Sequence, residues 1–189
     1  MSRLILASAS PRRKELLERI GWPFYVEPAA DEVAVPLPPA ALVRHLALEK
    51  AQAVAQRHRE DDVVVLGADT VVVHAGRILG KPSDEIHAAD MLGALQGSLH
   101  EVYTGVALVQ GTRSAACVER TSVRMCAMTA ADIWAYIATG EPMDKAGAYG
   151  VQGRGAAFIS RIDGDYTNVV GLPLCAVASA LKEFGIKII

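Results

Sequence analysis

The residue that most demands a chemical explanation is Asp69. It interrupts Val63–Val73 (VVVLGADTVVV), the most apolar run in the chain. That run is rich in β-branched residues and lacks helical periodicity, which predicts a central strand or two collinear ones. A carboxylate inside such a strand must be paired, hydrogen-bonded, metal-bound or protonated. Lys50 poses the converse problem. Leu42, Leu46, Lys50 and Val54 recur every four residues, so the ammonium falls on the apolar stripe of a helix predicted from about Pro39 to Gln56. It needs a carboxylate partner or an anionic ligand, unless its stem snorkels to water.

A third signal is the run Ser8-Ala9-Ser10-Pro11-Arg12-Arg13-Lys14. Ser10 suits an N-cap and Pro11 the first helical position. The helix then opens on three cations, the wrong sign for the positive end of its dipole. An anion belongs there, and phosphate is the natural candidate. Arg13 precedes Leu16 and Leu17 by three and four residues, so it heads the apolar face of that helix. Lys81, between Gly80 and Pro82, adds a fourth cation to Arg12, Arg13 and Lys50. Glu32 is a loop acid. If it converges with Asp69, the two make an oxygen site for Mg²⁺ or Mn²⁺ with positions open to water and phosphate.

Other chemistries lack their motifs. Gly76 and Gly80 are too close together for a P-loop, and Pro82 stands where its Ser or Thr would be. The glycines around Gln152 run GxxGxG, not the dinucleotide order GxGxxG, and signal only close approach of the backbone to a ligand. The five histidines show no ligand spacing, and nothing resembles GxSxG. Cations, acids and no dedicated nucleophile suit a phosphoanhydride, whose hydrolysis needs charge neutralisation, a metal and an oriented water.

The elements that must position these residues alternate. Strands are expected at Leu4–Ala7, Phe24–Glu27, Val63–Val73, His100–Leu108, Ala115–Met125 and Ala156–Ile162, with a possible edge strand at Ile186–Ile189. A hairpin is expected at Gly76. Helices are expected at Pro11–Ile20, at Pro39–Gln56, from a Ser83 cap to Leu95, from a Thr129/Asp132 capping box to Thr139, and at Leu174–Glu183. Gly147–Gly155 reads as a glycine-rich loop and Thr167–Pro173 as an ordered turn. Mixed strand pairing with interleaved helices means α/β.

The 189 residues fit one domain, 1–189, and a hydrophobic content of 51% supplies a core. A formal net charge of −2 argues against bulk nucleic-acid binding. Cys117, Cys126 and Cys175 form no CxxC pair and read as buried free thiols of a reducing compartment. The apolar start is too short for a signal peptide and no segment could span a bilayer, so a cytoplasmic protein is expected.

The motifs SASPRRKELL (Ser8–Leu17), Asp31-Glu32, Leu48-Glu49-Lys50-Ala51, GADTVV (Gly67–Val72), Gly80-Lys81-Pro82, Tyr103-Thr104-Gly105, DKAGAYGVQG (Asp144–Gly153) and NVVGLPL (Asn168–Leu174) occur in order. Together they resemble the Maf family of nucleoside triphosphate pyrophosphatases, from residue 3 to near the C-terminus. The resemblance implies an ITPase-like α/β fold: an elongated mixed sheet with flanking helices, two lobes around a central cleft, and a homodimer. It implies metal-assisted attack by water on a nucleoside triphosphate, giving the monophosphate and pyrophosphate. Carried over by position, Asp69 is the proton acceptor, and Glu32 with Asp69 holds Mg²⁺ or Mn²⁺. Lys50 and Lys81 act on the phosphates, Ser8, Ser10 and Arg13 bind substrate, and Arg12, Thr70 and Gln152 read the base.

Those last three residue types are similar to the branch acting on dTTP and UTP. Gln152 can donate to a pyrimidine carbonyl and accept from N3–H. A 7-methyl-GTP branch carries Trp, Gln and Glu there and is the alternative within the class. From a different class, the alternative is a nucleotide-binding regulator of septum formation without turnover.

Overall fold

The computed structural model describes residues 3–30, 35–58, 60 and 62–187. Its strands are β1 (Arg3–Leu6), β2 (Phe24–Val26), β3 (Val63–His74), β4 (Arg77–Leu79), β5 (Leu99–Gln110), β6 (Arg113–Met125) and β7 (Ile159–Asp163). The helices are α1 (Pro11–Arg19), α2 (Pro39–Ala55), α3 (Glu85–Leu95), α4 (Ala130–Ile137), α5 (Tyr166–Val170) and α6 (Leu174–Glu183). One mixed sheet runs β2-β1-β3-β5-β6-β7, with β4 on β3. The expected α/β class is what the chain adopts. The chain separates into two compact units: Met1–Asp69, Thr104–Glu119 and Gly171–Ile189 form the first, Thr70–Tyr103 and Arg120–Val170 the second.

In the first unit β1 pairs in parallel with both β2 and β3, with Leu4 opposite Phe24 on one side and Val64 on the other. Parallel neighbours need crossovers, and α1 and α2 supply them. Every residue of β3 from Val63 to Asp69 is buried, the pattern of a strand covered on both faces. The core here joins Ile5, Ala47, Ala51, Val54, Val65 and Ala107. Two glycines set how closely α2 lies on the sheet. A Cβ at Gly67 would collide with the backbone of Ala47 and Ala51, and one at Gly105 with that of Val43 and Arg44. Only glycine lets the helix approach so far, and Lys50 lies on the stretch brought in.

In the second unit β3 turns into β4 through Ala75 and Gly76, both at positive φ, with His74 opposite Arg77. That is the two-residue hairpin expected at Gly76. A core of Val72, Leu92, Leu95, Met125, Ile133 and Ile137 gathers α3 and α4. Thr129 and Asp132 complete a reciprocal capping box at the start of α4, as expected.

Several expectations need correction. Helix α3 is capped by Asp84, whose side chain accepts from the His87 N–H, while Ser83 donates its hydroxyl to Asp84. Two adjacent residues of cap type compete there, and the carboxylate is the stronger acceptor. Arg154–Phe158 is a 3₁₀ turn, so the strand expected from Ala156 begins at Ile159. The turn expected at Thr167–Pro173 overlaps α5, which starts one residue earlier. Cys117 and Cys126 are half-buried and Cys175 is exposed, although all three are free. Ile186 and Lys187 form no strand; Ile188 and Ile189 lie outside the described residues. Among the described residues no helix is long and apolar enough to cross a membrane.

Candidate active site

The site residues of the first unit come from three elements. Helix α1 begins where sequence placed it, with Ser10 extended at the N-cap position (φ −67°, ψ 117°), but the Ser10 side chain makes no cap hydrogen bond. The Ser8 hydroxyl instead accepts from the N–H of Ser10 itself at 3.2 Å and from Arg13 Nη1 at 3.0 Å. Arg13 is buried, and its Nε donates to the carbonyl of Gly171 at 2.8 Å. A guanidinium fixed at two points loses little further freedom when it meets an anion, which suits planar recognition of phosphate. Arg12 is half-buried. No acid occupies the first turn of α1, so the mismatch with the helix dipole noted in the sequence stands.

Lys50 meets Asp69. Its Nζ donates to Oδ1 at 2.7 Å and to the Ala68 carbonyl at 3.4 Å, with the two side chains only 14% and 12% exposed. Of the possibilities open for Asp69, pairing is realised, and the Lys50 ammonium has the carboxylate partner it required. A pair this enclosed gives little net stability, yet removing one member strands the other charge. Such pairs therefore mark places where charge is kept for a purpose as well as places of simple structural pairing.

The remaining sequence-derived residues lie in the second unit. Thr70 is half-buried on β3, Lys81 is exposed after β4, and Gln152 is half-buried. Their elements are tied together through Gly147, whose N–H donates to the carbonyl of Gly80 at 3.0 Å. A Cβ at Gly147 would press on the side chain of Val72 at 3.0 Å. The lysine loop, the glycine-rich loop and β3 thus share one packing point. Glu32 lies outside the described residues.

Two groups of buried or partly buried polar side chains escaped the sequence. The first is a network under the glycine-rich loop. Tyr136 donates its hydroxyl to Glu141 Oε1 at 2.8 Å and accepts from Gly150 N–H at 3.0 Å. Glu141 accepts from Arg154 N–H at 2.8 Å through Oε2 and from Gly155 N–H at 3.0 Å through Oε1. Burial raises the Glu141 carboxyl pKa, but the donors at Gly155, Arg154 and Tyr136, with Lys145 nearby, outweigh it and the net shift is downward. The close approach expected of these glycines is real, but it is to the chain's own Tyr136 and Glu141. The second group is His100, 2% exposed, with Nε2 at 2.7 Å from the hydroxyl of buried Tyr149. Burial, with a smaller contribution from His74, pushes its pKa down to about 4.

As for a metal, Asp69 offers hard carboxylate oxygen of the kind Mg²⁺ and Mn²⁺ take, and Mg²⁺ is commonly held by one or two carboxylates plus substrate phosphates. Among the described residues no group of three or more His, Cys, Asp and Glu side chains could hold a metal ion alone.

A family model described as Maf-like protein matches residues 3–184. A dTTP/UTP pyrophosphatase of Moorella thermoacetica is 55% identical, across 100% of this chain and 98% of the relative. One of Symbiobacterium thermophilum is 54% identical, across 100% and 97%. Among solved structures, the Staphylococcus aureus Ham1 protein aligns with a TM-score of 0.47 at 12% identity, over 66% of this chain and 72% of that one.

Proposed function

This chain belongs to the Maf family, and on that premise we propose that it hydrolyses dTTP and UTP to the nucleoside monophosphate and pyrophosphate. Two relatives above half identity, matched over 98% and 97% of their length, carry that name, and they favour it over the methylated-purine branch and over a binding-only regulator. The structural observation that carries the reading is the Lys50–Asp69 pair, an enclosed charge pair on the most apolar strand of the chain.

Water attacks the α-phosphorus, the bond from that phosphorus to the bridging oxygen breaks, and pyrophosphate leaves with the electron pair. Asp69 takes the proton of the attacking water. Lys50 occupies Oδ1, so the water is placed at Oδ2, and the lysine both aims the carboxylate and adds positive charge beside the phosphates. Arg13, preset by Ser8 and Gly171, binds a phosphate, with Ser10 at the same helix start, and Lys81 neutralises charge on the triphosphate. Asp69, with Glu32, would hold Mg²⁺ or Mn²⁺, and such an ion would supply charge neutralisation at the phosphates when bound. Arg12, Thr70 and Gln152 read the base, the amide of Gln152 pairing with a carbonyl and N3–H of thymine or uracil.

The compartment proposed is the cytoplasm, where free cysteines stay reduced. The assembly proposed is a homodimer, measurable by light scattering. The experiment for the activity is pyrophosphate release from dTTP, UTP, dCTP and 7-methyl-GTP with Mg²⁺ or Mn²⁺. Preference for dTTP and UTP is expected. Preference for 7-methyl-GTP, or nucleotide binding without pyrophosphate release under every metal, contradicts the proposal.

A further inference from the structure

The glycine-rich loop carries Gln152 at its centre, and the residues flanking it are tied to one point of the second unit. On the N-terminal side Gly150 N–H is held by the Tyr136 hydroxyl. On the C-terminal side Arg154 N–H and Gly155 N–H are held by the two oxygens of Glu141. The Tyr136 hydroxyl closes the circuit by donating to Glu141. Lys145, its ammonium donating to the Glu141 carbonyl at 2.6 Å and to Asp144 at 2.6 Å, lies under the loop. A Cβ at Gly150 would meet the Lys145 stem at 2.8 Å. Added Cβ atoms at Gly153 and Gly155 would overlap the Glu141 carboxylate and the Tyr136 hydroxyl. The glycine spacing is thus matched to these three side chains.

A carboxylate spent wholly on two backbone donors and a phenol is an expensive way to hold an ordinary surface turn, because it must be partly desolvated to do so. It is well suited to fixing a backbone segment between two anchors, since charge-assisted bonds to N–H groups are short and directional. From this arrangement we propose that Glu141, seconded by Tyr136, is a positioning residue for base recognition, fixing the backbone on both sides of Gln152. The inference rests on the reading of Gln152 as a base-reading residue. Glu141 touches no substrate in this scheme. It acts by keeping the Gln152 amide in one place, so that a pyrimidine with N3–H and a 4-carbonyl is told from one with a 4-amino group.

The test compares kcat/KM for dTTP and dCTP in the wild type and in Glu141→Gln, Tyr136→Phe and Gln152→Ala, each checked for folding by urea denaturation. In Glu141→Gln the side chain keeps its size, but its amide turns a donor toward one of the groups that the carboxylate accepts from. The dTTP/dCTP ratio is expected to fall about tenfold, carried by KM for dTTP while kcat holds, and Tyr136→Phe should move it in the same direction by less. If Gln152→Ala lowers the ratio but Glu141→Gln and Tyr136→Phe leave it at the wild-type value, or lower both substrates equally, the positioning role is overturned and Gln152 keeps its assignment. If Gln152→Ala leaves the ratio unchanged, the base-reading assignment falls and the positioning role falls with it.

Discussion

Burial of His100 makes stability depend on pH. Its imidazole is 2% exposed, against the Tyr149 hydroxyl at one nitrogen, and its pKa lies near 4 in place of 6.5. The unfolded chain therefore binds a proton between these values that the folded chain refuses, so stability rises with pH across that window. The contribution is complete above about pH 6.5 and is lost as pH falls toward 4, amounting to about 3 kcal/mol in all. Between pH 7 and pH 5 the loss should be about 2 kcal/mol. Carboxyls held low in the fold, such as Glu141 and Glu27, are destabilised only at lower pH, because stability from a depressed carboxyl is lost below its unfolded value. Urea denaturation at the two pH values measures the loss directly. The double variant His100→Phe/Tyr149→Phe removes the titrating group and its hydrogen-bond partner together. It should unfold near the wild-type midpoint at pH 7 and lose most of the pH dependence. An unchanged slope in the double variant would refute the assignment of the proton to His100.

Other consequences follow from the packing of α2 on β3. Lys50→Met strands the Asp69 carboxylate and should destabilise by about 3–5 kcal/mol, whereas Lys50→Met combined with Asp69→Leu should recover most of that loss in thermal melts. Gly67→Ala places a methyl on the backbone of Ala47 and Ala51. It should cost about 1–3 kcal/mol in urea denaturation and slow pyrophosphate release by displacing Lys50. Gly93, exposed within α3, has nothing within 4 Å of an added Cβ, so Gly93→Ala should stabilise by about 0.5–1 kcal/mol and leave turnover alone.

What could be read from sequence was whatever carried a local contradiction. A lysine on an apolar stripe and an acid among valines each demand a partner, and they proved to be each other's. The three cations opening α1 were legible for the same reason. Where two local solutions were equally good, sequence could not choose. Ser83 and Asp84 both suit a cap, and Ser8 and Ser10 both end β1, yet hydrogen bonds favour Asp84 and Ser8. Glu141 was invisible because an acid after Gly140 looks like a solvated turn residue. Its only trace was the spacing of Gly150, Gly153 and Gly155, which reads as a ligand loop until the side chain beneath it is seen. His100 and Tyr149, 49 residues apart, leave no pattern, because neither residue type contradicts its neighbours.

The central claim, that Asp69 activates water on a dTTP or UTP phosphoanhydride, is tested most directly by one substitution. Pyrophosphate release from dTTP with Mg²⁺ is measured for the wild type and for Asp69→Asn, whose fold is checked by circular dichroism. The folded variant should lose about 10²–10⁴-fold in kcat, the range for removal of a general base. Turnover within a fewfold of the wild type would contradict it.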